Sequence, residues 1–179
     1  MPRYVAFLRA VNVGGRIVKM DELRHLFTGA GLSEVESFIA SGNVIFSASA
    51  KVTPTLEQKI EAHLKKALGY EVPALIRTTT EVAVAASRAP FPAADVAGAG
   101  ALVAAFLRGP LDAAGRRGLA ALASPLDRFA VHGQEVYWLS TLKQSESKLT
   151  LAKFERAVGR TATMRAMTSL GKLAAKHCA

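Results

Sequence analysis

The residues best suited to chemistry sit in a short loop near the start of the chain. Arg9 and Arg16 flank Asn12 and the pair Gly14-Gly15, and a helical pattern opens at Met20. Guanidinium groups match phosphate and carboxylate oxygens. Glycines take up positive φ, and a helix N-terminus presents backbone N–H groups without intrahelical partners. Together these features describe a place for an anion the size of a phosphate, a carboxylate or a nucleotide. Ser41-Gly42-Asn43 is a hairpin signal, and the strand it opens should run beside the one ending at Arg9. Asn12 and Asn43 would then add neutral hydrogen bonds. The phosphate-loop signature G-x-x-x-x-G-K-[ST] is absent. An ordinary surface turn accounts for the same residues without a ligand.

Other chemistry is thinner. Ser145-Glu146-Ser147-Lys148 has the S-x-x-K spacing of a serine nucleophile and its lysine base, but no S-D-N or K-T-G follows. Helix capping by Ser145 or Ser147 explains the serines, and Lys148 stays a candidate ligand contact. Its own repeat should place it at the far end of the sheet from Arg108. His25, His63, His132 and His177 lack metal-ligand spacing, and Cys178 stands alone near the end of the chain. No metal and no cofactor are expected. Tyr137 and Trp138 are neighbours in a strand pattern, so one should face the core and the other solvent, where it could stack a base.

Composition narrows the classes. Of 179 residues 50% are hydrophobic and 21% charged, enough for a sizeable core and too few charges for disorder. The net charge is +9. Residues 1–99 hold 11 basic and 9 acidic side chains, and residues 100–179 hold 12 and 5. That surplus attracts anionic small molecules or nucleic acid, though a solvated basic surface has the same composition. A lone cysteine excludes an intrachain disulfide and suits a reducing compartment. Arg9 interrupts the only early apolar run, so no secretory signal is read. The longest uncharged apolar stretch, 96–107, is too short to span a bilayer. A cytoplasmic protein without membrane contact is expected.

The elements that must position the loop follow from hydrophobic periodicity. Arg3–Arg9 reads as a central strand, Met20–Ala30 as a helix ended by Gly31, and Val35–Ala40 as an edge strand with Glu34 and Glu36 on its wet side. Asn43–Ser47 is a second apolar strand, and Thr53 caps a helix with Leu56, Ile60, Leu64 and Leu68 on one face. Glu71–Arg77 is an edge strand carrying Pro73, and Thr78 with Glu81 forms a capping box for a short helix to about Ser87. The order then repeats. Strands are expected at Ala101–Arg108, Leu126–Val131, Glu135–Ser140 and Ala162–Met167, and helices at Pro110–Ala123, Ser147–Val158 and Thr168–Lys176. Ala6–Arg9 and Ala105–Arg108 share the tetrapeptide AFLR. The fold class is therefore α+β: two tandem ferredoxin-like β-α-β-β-α-β units, each followed by an extra helix, with spatial strand order 4-1-3-2. The expected boundaries are 1–89 and 100–179, joined by a linker at 90–99.

At Arg9–Gly15 (RAVNVGG), Ser41–Phe46 (SGNVIF) and Ser147–Thr150 (SKLT) the chain resembles the bacterial domain-of-unknown-function family numbered 1697. The resemblance runs nearly end to end. It implies a cytoplasmic protein with ferredoxin-like halves and no known activity. Arg9, Asn12, Gly14, Gly15, Ser41, Gly42, Asn43, Ser147 and Lys148 match the family's pattern. Near the last strand the family reads R-N-W-N-T, whereas this chain has Arg165-Ala166-Met167-Thr168-Ser169.

Three functions fit these residues. The first is a module binding a phosphate-containing or other anionic ligand at the loop. The second is an acylphosphatase-like hydrolase, by analogy of fold, with Arg9 and Arg16 holding the anion and Asn43 orienting water. The loop does not match the acylphosphatase motif. The third is a structural or protein-interaction role through exposed sheet edges.

Overall fold

A computed structural model describes residues 1–12, 14–39, 42–49 and 53–178, with Thr53 described by its backbone alone. The cap assigned to Thr53 thus lies outside the described side chains. The first repeat runs β1 (Arg3–Leu8), α1 (Met20–Gly29), β2 (Ser33–Ser37), β3 (Asn43–Ser47), α2 (Thr53–Leu68), β4 (Ala74–Thr78) and α3 (Thr79–Ser87). A short α4 (Ala93–Ala97) follows. The second repeat runs β5 (Ala101–Leu107), α5 (Ala113–Leu122), β6 (Asp127–His132), β7 (Glu135–Ser140), α6 (Leu151–Val158), β8 (Ala162–Ala166) and α7 (Met167–His177). The segment read as a linker therefore contains a helix.

Each repeat builds a four-stranded antiparallel sheet, ordered β2-β3-β1-β4 and β6-β7-β5-β8. This is the expected order 4-1-3-2, with the most apolar strands at the centre. Two compact units result. One comprises Met1–Val84 with Leu173–Ala179, and the other Ala85–Lys172.

In the first unit Tyr4, Ala6 and Leu8 of β1 join Val44 and Phe46 of β3 in one core. Leu23 and Phe27 of α1 and Leu56, Ile60 and Leu64 of α2 close it. The Phe46 ring lies 5.7 Å from both Tyr4 and Phe27. Burying each such side chain stabilises the fold by about 1.5–3 kcal/mol. The alternate residues Val5, Phe7, Ile45 and Leu75 are buried too, so both faces of the sheet are covered. In the second unit Ala105, Leu107 and Val136 pack under Leu119 of α5 and Phe154 of α6.

The capping box at Thr78 is present in both directions. The Thr78 N–H donates to Glu81 Oε2 at 2.8 Å, and the Glu81 N–H donates to Thr78 Oγ1 at 3.1 Å. Three expectations need correction. β2 starts two residues early and ends three early: Glu34 (φ 48°) and Ile39 (φ 60°) are left-handed, the first at a shift of register and the second just past the strand's end. α6 starts at Leu151, where Thr150 Oγ1 accepts from the Lys153 N–H at 3.2 Å. Ser147 instead accepts from the Leu149 N–H in a local turn, so neither it nor Ser145 caps the helix. Finally, Tyr137 and Trp138 are both buried, and no aromatic of β7 is left to stack a base. The Tyr137 hydroxyl donates to the Ala85 carbonyl at 2.9 Å, and the Trp138 indole N–H donates to Asp127 Oδ1 at 2.8 Å.

Candidate functional site

Antiparallel pairing of β1 with β3 brings the end of β1 to the start of β3, with Phe7 opposite Asn43. The Leu8 N–H donates to the Gly42 carbonyl at 2.9 Å, and the Arg9 N–H donates to Pro73 at 3.0 Å. Gly42 has φ +82°, and a Cβ there would sit 3.1 Å from Leu8 Cβ and 3.3 Å from Val11 Cγ1. The positive φ and the tight approach favour glycine here, and the hairpin and the β1–α1 loop meet as expected. Ser41 lies outside the described residues.

The loop itself is clamped. Asn12 Oδ1 accepts from the Val18 N–H at 2.7 Å, drawing the two limbs together. The Tyr70 hydroxyl donates to the Val11 carbonyl at 3.1 Å, and the Arg16 guanidinium lies over the Tyr70 ring, 4.2 Å from its centroid. A cation held over an aromatic face is favoured by the ring's negative quadrupole. At the tip Gly14 (φ +67°) and Gly15 (φ +79°) are exposed, with no atom near a would-be Cβ. The bend therefore projects into open space. Ile17 beside it is 80% exposed. It was not singled out from sequence, although an isoleucine without periodic apolar partners in a glycine loop is a readable signal.

The charges around the loop are mainly positive. Arg16 makes no ion pair among the described residues. Arg9 is half-buried at the start of the loop. The α1 N-terminus has Lys19 as its cap residue, with no side-chain hydrogen bond to it. Asp21 and Glu22 occupy the first turn, and Asp21 is paired with Arg24.

One candidate does not join this arrangement. Asn43 is 3% exposed, and its Nδ2 donates to the Phe38 carbonyl at 3.0 Å. It ties off the β2–β3 connection. Lys148 is exposed in the second unit, and its carbonyl accepts from Lys153 Nζ at 3.2 Å.

The structure adds two residues that strand patterns did not reveal. Arg77 faces Val5 on β1, and Arg165 faces Ala104 on β5, equivalent places in the two repeats. The Arg77 Nη1 donates to the Ile76 carbonyl at 3.0 Å. Arg165 Nη1 donates to the Met164 carbonyl and to Thr163 Oγ1, both at 2.8 Å. Burial pushes the Arg165 guanidinium down to about 10. At the other end of the chain the His177 ring packs edge-on against Phe38, with Nδ1 3.8 Å from Glu36 Oε2. Burial lowers its pKa, and Glu36 opposes that shift. Among the described residues no three His, Cys, Asp or Glu side chains gather as a metal site, and no helix is long and apolar enough to cross a membrane.

Comparison with known proteins agrees with the architecture. Residues 1–137 match a family model described as "Protein of unknown function (DUF1697)". The match ends before the departure at Arg165–Ser169. Among solved structures, the conserved bacterial protein SP0830 from Streptococcus pneumoniae is similar with a TM-score of 0.76. The two are 23% identical over 98% of each chain, a likeness of fold. No curated protein matches the sequence.

Proposed function

The chain belongs to the DUF1697 family, whose description carries no activity, and we propose from its own residues that it binds a phosphate-containing or similar anion at the β1–α1 loop. The observation that carries this reading is the placement of Arg16. Its charge is exposed, held over Tyr70 and free of any ion pair among the described residues. It stands between the Gly14-Gly15 bend and the uncapped start of α1. A guanidinium restrained in this way loses less rotamer freedom when it binds an anion than a mobile one. Arg9 supplies a second cation where the loop begins. Asn12 serves the loop by closing it, and Ile17 offers apolar contact beside the charge. Nucleotides and nucleic acid combine phosphate with an apolar face, so they head the ligand classes. The hydrolase reading loses its water-orienting residue, because Asn43 is buried and bonded to Phe38.

Titrating with inorganic phosphate and a nucleoside triphosphate, while following the backbone amides of Asn12, Gly14, Gly15 and Arg16, tests the proposal. Saturable shifts that weaken at least tenfold in Arg16→Ala are expected, a loss of about 1.4 kcal/mol. Unmoved amides at millimolar ligand, or equal affinity in the variant, would remove it.

A further inference from the structure

The four sheet edges are closed to different degrees. On β4 the outward N–H groups are those of Ala74, Ile76 and Thr78. Glu61, Glu57 and Glu81 accept from them at 2.9, 2.9 and 2.8 Å. On β8, Glu155 accepts from the Ala162 N–H at 2.9 Å. β2 is broken by its bulge and flanked by the His177 ring. β6 has no such protection among the described residues. It ends its sheet, keeps an unbroken register with β7 over Asp127–His132, and is only partly buried.

The direction of its backbone groups follows from both ends. The turn at Gly133-Gln134 makes His132 and Glu135 a hydrogen-bonded pair, so Ala130 and Arg128 also bond toward β7. Phe129 and Val131 then point their N–H and C=O groups away from the sheet. Asp127 belongs to the same outward set and exchanges two backbone bonds with Ser124, at 3.1 and 3.2 Å. That exchange agrees with the alternation and ends the open stretch.

We propose that this edge pairs with the same edge of a second copy of the chain, antiparallel about a two-fold axis at Ala130. In that register Phe129 bonds with the partner's Val131, and Val131 with the partner's Phe129. All four open N–H groups and all four open carbonyls across the pair are satisfied. Ala130 meets its own copy at a non-hydrogen-bonded position, where Cα atoms approach to about 4.5 Å and a small side chain fits. Each side places an aromatic opposite a β-branched residue, a favourable cross-strand pair. Phe129, Ala130 and Val131 supply both halves of this pairing, so a second copy completes it without a foreign strand. The Arg128 charge on this strand is matched by Asp95 at 2.8 Å.

Sedimentation equilibrium of the full chain, from about 1 μM to about 1 mM, tests this across weak and moderate affinities. The mass should rise toward twice 18.9 kDa. Ala130→Lys and Ala130→Glu each set like charges face to face and should stay at the single-chain mass with an unchanged circular dichroism spectrum. Mixing the two in equal amounts should restore the doubled mass. Should either variant misfold, Val131→Pro removes one outward N–H without touching a bond to β7, and should likewise give the single-chain mass. A wild-type chain that stays single at the highest concentration, variants that still double, or a mixture that does not recover would each overturn the proposal.

Discussion

The two repeats end their first strand with the same pair of hydrogen bonds and then part company. In one, Leu8 bonds to Gly42 and Arg9 to Pro73. In the other, Leu107 bonds to Gln134 and Arg108 to Thr161, each at 2.9 Å. The next residue is left-handed in both, Ala10 at φ 58° and Gly109 at φ 89°. From there the second repeat passes Pro110 to Asp112, which accepts from the Gly115 N–H at 2.7 Å and opens α5. The first repeat runs through Ala10–Lys19 before α1 begins. The short link suffices to build the unit. The longer loop, with its diglycine bend and its stacked arginine, is therefore extra to the fold, and such additions are where function commonly resides.

Helix packing separates the repeats further, and the largest expected effect lies there. A Cβ on Gly118 of α5 would overlap the Ala157 carbonyl of α6, and one on Gly115 would lie 2.6 Å from the Val158 carbonyl. In the first unit a Cβ on Gly29 of α1 would meet only the His63 ring of α2, at 3.5 Å. Gly118→Ala should lower stability by about 3 kcal/mol in urea unfolding. Gly29→Ala should be neutral or raise it by about 0.5 kcal/mol through helix propensity. Equal effects at the two sites would break the comparison.

The edge carboxylates give the next contrast. Glu57 is buried, and its loss strands the Ile76 N–H. Glu57→Ala should cost about 2–3 kcal/mol, against about 1 kcal/mol for the more accessible Glu155→Ala, both read from denaturant midpoints. The smallest effect concerns the left-handed pair. Ala10→Gly removes a positive-φ penalty and adds unfolded-state freedom, a net gain of about 0.5 kcal/mol. A loss of stability there would show that Ala10 contributes contacts Gly109 does not need.

The periodicity of the apolar residues was enough to read the strands, their order and the meeting of loop with hairpin. Alternation such as Glu34/Val35/Glu36 reports which face is wet and nothing about backbone hand, so the left-handed residues that shift and end β2 were invisible. The amides of Asn12 and Asn43 looked like ligand contacts because sequence shows a polar group but not its direction. Asn12 accepts from a loop N–H and Asn43 donates to a carbonyl, both of the backbone. Glu57 and Glu61 lie on a helix whose pattern reports only its apolar face, and their service to β4 depends on a packing that no local pattern encodes. Gly115 and Gly118 of α5 are where a second helix comes to rest, which their residue type alone does not announce.

The grouping of Leu173–Ala179 with Met1–Val84 has a consequence for how the chain is made. Synthesis proceeds from the first residue, so a nascent chain carries all of β1 to β4 long before His177 exists to pack on Phe38. The continuous unit, Ala85–Lys172, has every one of its residues available first. The unit that holds β1 to β4 is thus the one completed last, and removing Leu173–Cys178 would injure the packing around Phe38.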